Sequence, residues 1–131
     1  MRLLLDTQIL LWLAGGMLPP SAAEYVLDES NKLLFSPASI WEIVIKRGLN
    51  RVDFDVDPHL LLNGLLDNGY EQLCITAQHT LLTGTMPMFH KDPFDRILLA
   101  QSIAEGVPLL TTDSMMIKYP APVIFIKKHP G

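Results

Sequence analysis

Short apolar runs alternate along the chain with longer stretches of helical spacing. The runs at 3–5, 32–35, 73–75, 108–110 and 123–126 are only three or four residues long, so they predict five β-strands. Between them, apolar residues recur every three or four positions, as in helices that bury one face. Short apolar strands that alternate with helices favour a parallel sheet covered on both faces, which is an α/β fold.

Cap residues and helix breakers mark the helices between these strands. Ser36 and Asp92 each provide an N-cap side chain directly before a proline, which suits the first helical position. Glycine ends several stretches, as Gly48 does. The pattern predicts helices at 7–14, about 21–30, 37 to about 47, 58 to about 69, 77–83 and 94–105, with one helical turn at 114–118.

Composition places these elements in one small domain. The chain has 131 residues, of which 49% are apolar and 18% charged, and this predicts a single domain over 1–131 with a sizeable core. No apolar run approaches the roughly 20 residues that span a bilayer. Cys74 is the one cysteine, so we expect no internal disulfide and a cytoplasmic protein. The net charge of −4 argues against bulk electrostatic coating of nucleic acid, but it allows a nuclease whose carboxylates hold metal.

Four acidic residues are predicted to gather at one edge of the sheet. Asp6 and Asp113 directly follow the first and fourth predicted strands. Glu42 lies in the helix after strand two, and Asp95 lies in the first turn of the helix before strand four. Function in parallel sheets gathers at the carboxyl ends of the strands. Each acid also has an ordinary interpretation, since Asp6 and Asp113 fit N-caps and Asp95 fits an acid favoured by the helix dipole.

The chemistry of such a cluster points to a divalent cation. Glu42 is flanked by apolar residues, and a buried carboxylate is costly unless it is paired or bound to a cation. Carboxylates brought together without a cation repel one another, and oxygen ligands suit Mg²⁺ or Mn²⁺. The cluster therefore favours metal-assisted phosphodiester chemistry, in which a carboxylate orients the attacking water. Four carboxylates permit either one metal ion or two.

Other motifs that carry chemistry are missing from the sequence. Asp53, Asp55 and Asp57 alternate as in a calcium loop, but Pro58 stands where that loop needs glycine. The four histidines show no HExxH spacing, and the sequence contains no GxxxxGK[ST], GxGxxG or GxSxG motif. The acidic positions therefore remain the only strong candidates for a functional site.

The acids and their neighbours resemble the PIN domain family, and within it the VapC-like toxin ribonucleases of type II toxin–antitoxin pairs. The resemblance implies a PIN-like three-layer sandwich with a five-stranded parallel sheet covered by helices, and Mg²⁺ or Mn²⁺ held among the four acids. It covers residues 3 to about 126, and its motifs are Leu-Leu-Leu-Asp6-Thr7, Ser36-Pro-Ala-Ser39-Ile-Trp-Glu42-Ile, His90-Lys-Asp92-Pro-Phe-Asp95-Arg96 and Leu-Leu-Thr-Thr112-Asp113.

The resemblance also implies roles for the four acids. Asp6 and Asp95 are expected to be the most direct metal ligands. Glu42 and Asp113 are expected to bind the metal through water or to orient the attacking water. Thr7 is expected to support the ligands through its hydroxyl, with a helix cap as its alternative.

Other residues near the acids have two interpretations each. Thr112 is either a hydroxyl that supports the ligands or a helix cap, and Asp92 is either a subgroup acid of the site or the N-cap of its helix. Ser39 either bonds to Glu42, one turn away, or simply occupies an early helix position. Arg96 either holds phosphate or pairs with a neighbouring aspartate. His90 and Lys91 either touch RNA or are ordinary loop residues.

The function that the resemblance implies is a metal-dependent endoribonuclease that acts as a toxin. Its substrate would be RNA, its partner an antitoxin protein, and its common assembly a homodimer. One alternative is a housekeeping PIN-type nuclease in RNA processing, and another is a binding module with a decayed site, against which the intact set of acids argues. A receiver-like phosphoacceptor domain needs an aspartate after the third strand, where this chain has Thr76 and Ala77.

Overall fold

A five-stranded parallel sheet forms the centre of the protein. The computed structural model describes residues 1–127, and residues 128–131, the last of the predicted domain, lie outside the described residues. The strands are β1 Arg2–Leu5, β2 Lys32–Phe35, β3 Glu71–Gln72, β4 Leu109–Thr111 and β5 Val123–Phe125. They pair in parallel in the order β3-β2-β1-β4-β5, which confirms the predicted α/β fold.

Six helices connect the strands, and their ends follow the caps that the sequence provides. The Ser36 and Asp92 side chains accept hydrogen bonds from backbone N–H groups of the helices that follow them. Within residues 1–127, no helix has the length and apolar content needed to cross a membrane. The helices are α1 Thr7–Gly15, α2 Pro20–Val26, α3 Pro37–Gly48, α4 Pro58–Asp67, α5 Ala77–Thr83 and α6 Pro93–Glu105, with 3₁₀ turns at Val52–Phe54 and Ser114–Lys118.

The two faces of the sheet carry separate apolar clusters, because successive side chains of a strand point to opposite faces. Leu3 and Leu5 of β1 belong to the cluster that contains residues of α1, α2, α3 and α4. Leu4 belongs to the other cluster, with Leu98 and Leu99 of α6. β1 is therefore buried on both faces, and the helices form a layer on each side of the sheet.

The third strand differs from its predicted position. The apolar run at 73–75 predicts a buried strand, but β3 consists of the exposed residues Glu71 and Gln72. β3 is an edge strand that pairs with β2 alone, so its backbone needs one partner and its side chains need no core. The apolar Leu73 follows the strand and packs against the cluster under α6.

The second helix is shorter than predicted. The spacing predicts a helix over about 21–30, whereas α2 ends at Val26. The Asp28 side chain accepts hydrogen bonds from the backbone N–H of Ser30 and from its hydroxyl, at 2.9 and 2.7 Å. This local turn competes with continuation of the helix, as Asp and Ser commonly do.

The direction in which successive strands are added to the sheet reverses between β1 and β4. The connections after β1 build the sheet toward β2 and β3, and those after β4 build it toward β5 on the opposite side. β1 and β4 are neighbours, and the backbone N–H of Asp6 donates to the carbonyl of Leu110 at 3.0 Å. A crevice forms at the carboxyl ends of strands where the direction reverses, and Asp6 stands at that point.

Candidate active site

Asp6 both caps a helix and lines the crevice at the end of β1. It is the N-cap of α1, and its Oδ1 accepts a hydrogen bond from the backbone N–H of Ile9 at 3.0 Å. Its Oδ2 accepts from the Thr111 hydroxyl and from the backbone N–H of Thr112, the latter at 3.3 Å. Burial raises the pKa of Asp6 to about 6 despite these hydrogen bonds. The predicted cap and a place in the site therefore coexist in one residue.

Glu42 is buried inside α3 and has partners for both carboxylate oxygens. The Thr7 hydroxyl donates to its Oε1 at 2.6 Å, and Lys46 Nζ lies 2.5 Å from its Oε2. Ser39 contacts Thr7 at 3.0 Å between the hydroxyl oxygens, so it reaches Glu42 only through Thr7. The expected helix cap at Thr7 is wrong, because the cap of α1 is Asp6. These contacts explain how a carboxylate is tolerated in so apolar a helix.

Asp95 is the acid with the most perturbed ionisation. Burial, and after it the charges of Asp92, Glu42, Asp6 and Asp113 in that order, together raise the pKa of Asp95 to about 8. The other three predicted acids are therefore close enough to Asp95 to affect its pKa, so the four form one cluster. A raised pKa in a cleft marks a group whose charged form lacks a countercharge.

Asp92 and Asp113 both cap structure at the edge of the cluster. The Asp92 side chain is the N-cap of α6 and accepts from the backbone N–H of Phe94 at 2.8 Å, as expected. Its Oδ2 also lies 3.8 Å from Lys46 Nζ. Asp113 Oδ1 accepts from the backbone N–H of Met115 at 2.9 Å and so caps the second 3₁₀ turn. The other oxygen of Asp113 remains directed to the cluster through a contact with His90.

The hydroxyl that supports Asp6 belongs to Thr111 and not to Thr112. Thr111 is fully buried at the end of β4, and its hydroxyl donates to Asp6 Oδ2. The predicted residue Thr112 contributes its backbone N–H instead. Side chains alternate along a strand, so a one-residue shift in the predicted end of β4 explains the difference.

Arg96 is turned away from the acids. Its buried guanidinium donates to backbone carbonyls of the segment before α6, including those of Pro87 at 2.9 Å and His90 at 3.1 Å. Among residues 1–127 it forms no ion pair with Asp95 or Asp92, so the predicted pairing of Arg96 with a neighbouring aspartate is wrong, whereas its predicted contact with phosphate stays a prediction. This segment belongs to neither a helix nor a strand, so its carbonyls lack regular backbone hydrogen-bond donors. The Arg96 guanidinium provides donors to them instead.

Sequence reasoning missed Lys46 as a site residue, and it missed the contact of His90 with the acids. Lys46 is one turn after Glu42 in α3, and this i,i+4 spacing was a signal that could have found it. The imidazole Nε2 of His90 lies 2.7 Å from Asp113 Oδ2 and 3.0 Å from Asp95 Oδ2. No local spacing indicates that contact, because it depends on how the segment before α6 folds back.

The cleft between these residues suits a cation with oxygen ligands. It has a volume of about 300 Å³. Burial raises the pKa values of Asp6 and Asp95 because it disfavours their charged forms. A divalent cation would supply the countercharge that these carboxylates lack. The donor set of carboxylates fits Mg²⁺ or Mn²⁺. The cleft is lined by Asp6, Thr7, Gln8, Leu11, Glu42, Phe54, Asp95, Thr112, Asp113 and Ser114.

The fold and the acidic crevice agree with the family comparison. The sequence matches the family model described as the PIN domain over residues 3–122, so the chain belongs to the PIN domain family. A parallel sheet of this family, with no phosphoacceptor aspartate after β3, rules out the receiver-like alternative. Comparison with curated protein sequences gives no match.

Solved structures share the fold over nearly the whole chain. VapBC2 from Rickettsia felis, bound to a DNA fragment from their promoter, is similar with a TM-score of 0.70 and 18% identity, over 97% of this chain and 98% of that chain. DNA-bound VapBC from Salmonella typhimurium has a TM-score of 0.66 and 16% identity, over 95% and 98%. VapBC-5 from Mycobacterium tuberculosis, of a toxin–antitoxin family, has a TM-score of 0.61 and 13% identity, over 96% and 98%.

Proposed function

We propose that this protein is a divalent-metal-dependent endoribonuclease that acts as the toxin of a type II toxin–antitoxin pair. The observation that carries the proposal is the cluster of Asp6, Glu42, Asp95 and Asp113 in a cleft at the topological switch point. Membership of the PIN domain family and similarity to VapBC structures support the nuclease and toxin parts of the proposal.

Asp6 and Asp95 are the residues proposed to hold Mg²⁺ or Mn²⁺ directly. Their raised pKa values support this assignment, because a nearby cation would stabilise the charged forms of both carboxylates. When bound, the metal supplies a water of lowered pKa and charge neutralisation at the phosphate. Asp113 and Glu42 are proposed to orient the attacking water, because both line the cleft and the carboxylate of each is held in place by partners at both of its oxygens.

Lys46 adds the positive charge that an acidic site needs near an anionic substrate. Its Nζ contacts Glu42 Oε2 and lies 4.8 Å from the centre of the Phe54 ring, which also lines the cleft. The ammonium group is therefore held at the cleft wall, with its side chain only 21% exposed. We propose that it fixes the orientation of the Glu42 carboxylate at the cleft.

The activity is tested by incubating the pure protein with total cellular RNA, with and without Mg²⁺ or Mn²⁺, and mapping the new ends. Metal-dependent cleavage at one recurring site is expected, and Asp6→Asn or Asp95→Asn should reduce it at least about 100-fold. Asp67→Asn is the matched control, since Asp67 is an exposed acid at the end of α4 and outside the cleft. Full activity in both site variants would overturn the assignment.

A groove beside the carboxyl end of α1 supports the proposal of a protein partner. It has a volume of about 890 Å³ and an apolar floor that includes Leu61 and Leu65. None of the lining residues, all of them among 1–127, is basic. We propose that an antitoxin segment with an apolar face and basic flanks occupies it, because its rim carries the acids Asp28, Glu29, Asp55 and Asp57.

The partner proposal is tested by co-purification with the product of the neighbouring gene. Leu60 lines the groove and is 70% exposed, so Leu60→Glu should weaken the complex about tenfold or more while RNA cleavage is retained. Leu81→Glu is the control, since Leu81 is a 74% exposed helical leucine outside the groove. Equal weakening by both variants would contradict the proposed docking site.

The housekeeping nuclease and the homodimer are tested separately. Growth arrest on expression, relieved by the neighbouring gene product, is expected of a toxin and would exclude a housekeeping role. The homodimer implied by the family resemblance is a proposal about assembly, and light scattering of the purified protein should give twice the 14.7 kDa chain mass.

A further inference from the structure

His90 occupies a position in the acidic cluster that the proposed function leaves unexplained. It lies in the segment between α5 and α6, and its ring is largely buried. Its Nε2 bridges two acids, at 2.7 Å from Asp113 Oδ2 and 3.0 Å from Asp95 Oδ2. An imidazole between two carboxylates is either a metal ligand or a hydrogen-bond donor, and these are different chemical roles.

The other ring nitrogen decides between these roles. The backbone N–H of Asp92 points at His90 Nδ1 at 3.2 Å. An N–H group can only donate, so Nδ1 presents its lone pair and the proton of the neutral ring is on Nε2. The Nε2–H group therefore donates its hydrogen bond to Asp113 Oδ2, and Asp95 Oδ2 lies 3.0 Å from the same nitrogen.

A protonated Nε2 has no lone pair for a metal. His90, Asp95 and Asp113 form a group whose ligand atoms lie within 4.8 Å of one another, which is compact enough to hold an ion. To ligate, the imidazole would have to move its proton to Nδ1, which would set two N–H groups against each other at Asp92. Asp95, in contrast, has only its Oδ2 in contact with the imidazole, and its second oxygen stays available to a cation.

The backbone around His90 is fixed from the core. The His90 N–H donates to the Tyr119 hydroxyl at 2.7 Å, and the same hydroxyl donates to the Pro87 carbonyl at 2.8 Å. Arg96 donates to the carbonyls of both His90 and Pro87. Tyr119 and Arg96 are themselves buried, so the segment is tied to rigid elements on each side of the ring. Groups held in this way present a side chain with little loss of entropy when it acts.

We propose that His90 is a positioning residue of the active site, which holds Asp113 through its Nε2–H group, packs this nitrogen against Asp95 Oδ2 and stays outside the metal coordination. The inference rests on the proposed nuclease function for its catalytic consequence, but the tautomer and the contacts stand without it. Arg96 and Tyr119 act through His90, because they fix the segment that carries the imidazole.

The tautomer is tested by NMR of protein labelled with ¹⁵N-histidine, first without metal and then saturated with Mg²⁺. We expect His90 to keep a protonated Nε2 and an unprotonated Nδ1 in both samples. Loss of the Nε2 proton on addition of Mg²⁺, or a proton on Nδ1, would overturn the proposal. This measurement does not depend on cleavage of RNA.

Rescue by a matched side chain separates positioning from general support of the fold. His90→Ala is expected to lower kcat for RNA cleavage about 10–100-fold, and His90→Gln, which restores an N–H donor, should recover most of the loss. His59→Ala is the control, since His59 is an exposed histidine of α4 outside the cleft. Parental kcat in His90→Ala, or no recovery in His90→Gln, contradicts the positioning role. If the parental protein itself does not cleave RNA, the nuclease proposal fails while the imidazole spectrum still decides the role of His90.

Discussion

Asp95 shows how a single carboxylate links stability to pH in this protein. Burial raises its pKa to about 8, and burial raises the pKa of Asp6 to about 6. The pKa of an aspartate in an unfolded chain is about 3.9. Between about pH 4 and 8 the metal-free folded protein therefore binds protons that the unfolded chain has released, and its free energy of unfolding falls as pH rises.

Asp95→Asn should remove most of this pH dependence. At pH 8 in the presence of a chelator, the variant is expected to be more stable than the parent by on the order of 3 kcal/mol, because the amide carries no charge to bury. Urea unfolding at pH 5, 6.5 and 8 measures the effect. Asp67→Asn should leave the pH slope unchanged, and an equal slope in Asp95→Asn and the parent would contradict the prediction.

The same ionisation couples metal binding to proton release. At pH 7 most Asp95 carboxyls carry a proton, since the pKa is about 8. Binding of Mg²⁺ should therefore release roughly one proton, and affinity should rise with pH until about pH 8. Calorimetric titration in two buffers of different ionisation enthalpy reports the proton count. A binding enthalpy that is equal in the two buffers would show that Asp95 is already ionised.

At the scale of elements, α3 carries a charged pair in an otherwise apolar setting. Glu42 and Lys46 are one turn apart and 2.5 Å from each other, and both side chains are largely buried. The desolvation of two charges offsets much of their attraction, so such a pair adds little stability beyond an apolar pair of similar shape. The pair instead fixes the orientation of the Glu42 carboxylate, since Lys46 and Thr7 each bind one of its oxygens.

A double-mutant cycle tests this interpretation of α3. Lys46→Met alone is expected to destabilise the protein by about 1–3 kcal/mol, because it leaves the Glu42 carboxylate buried without its partner. Glu42→Gln combined with Lys46→Met should restore most of that stability, as measured by urea unfolding. The interpretation is wrong if the double variant is as unstable as Lys46→Met.

Elements whose ends are set by local chemistry could be predicted from the sequence, whereas those set by distant contacts could not. Ser36 and Asp92 fix the starts of α3 and α6 through hydrogen bonds to their own helices, and both starts were predicted closely. β3 was misplaced because an edge strand is defined by pairing with Phe35, not by its own apolar run. The contact of His90 with the acids was missed for the same reason, since Arg96 and Tyr119 place this residue from other parts of the chain.

For the whole molecule, eight of the 14 acidic residues line two separate surfaces, the cleft and the groove. The cleft and the groove share no lining residue, and each is rimmed by acids. Much of the acidity behind the net charge of −4 therefore belongs to residues that are proposed to bind a cation or a basic partner. Bulk repulsion of nucleic acid is only one consequence of that charge. A partner in the groove leaves the cleft residues free to bind metal.

Because β1 pairs with β4, the cleft can form only after most of the chain has been synthesised. Asp6 and Thr111 are joined by a hydrogen bond although 105 residues separate them along the chain. Ribosomes add about 5–20 residues per second, so Asp6 is synthesised roughly 5–20 s before Thr111. Long-range pairing also slows folding itself. The nascent chain therefore holds no assembled cleft, and synthesis provides an interval in which any partner that captures the early elements can act before the site exists.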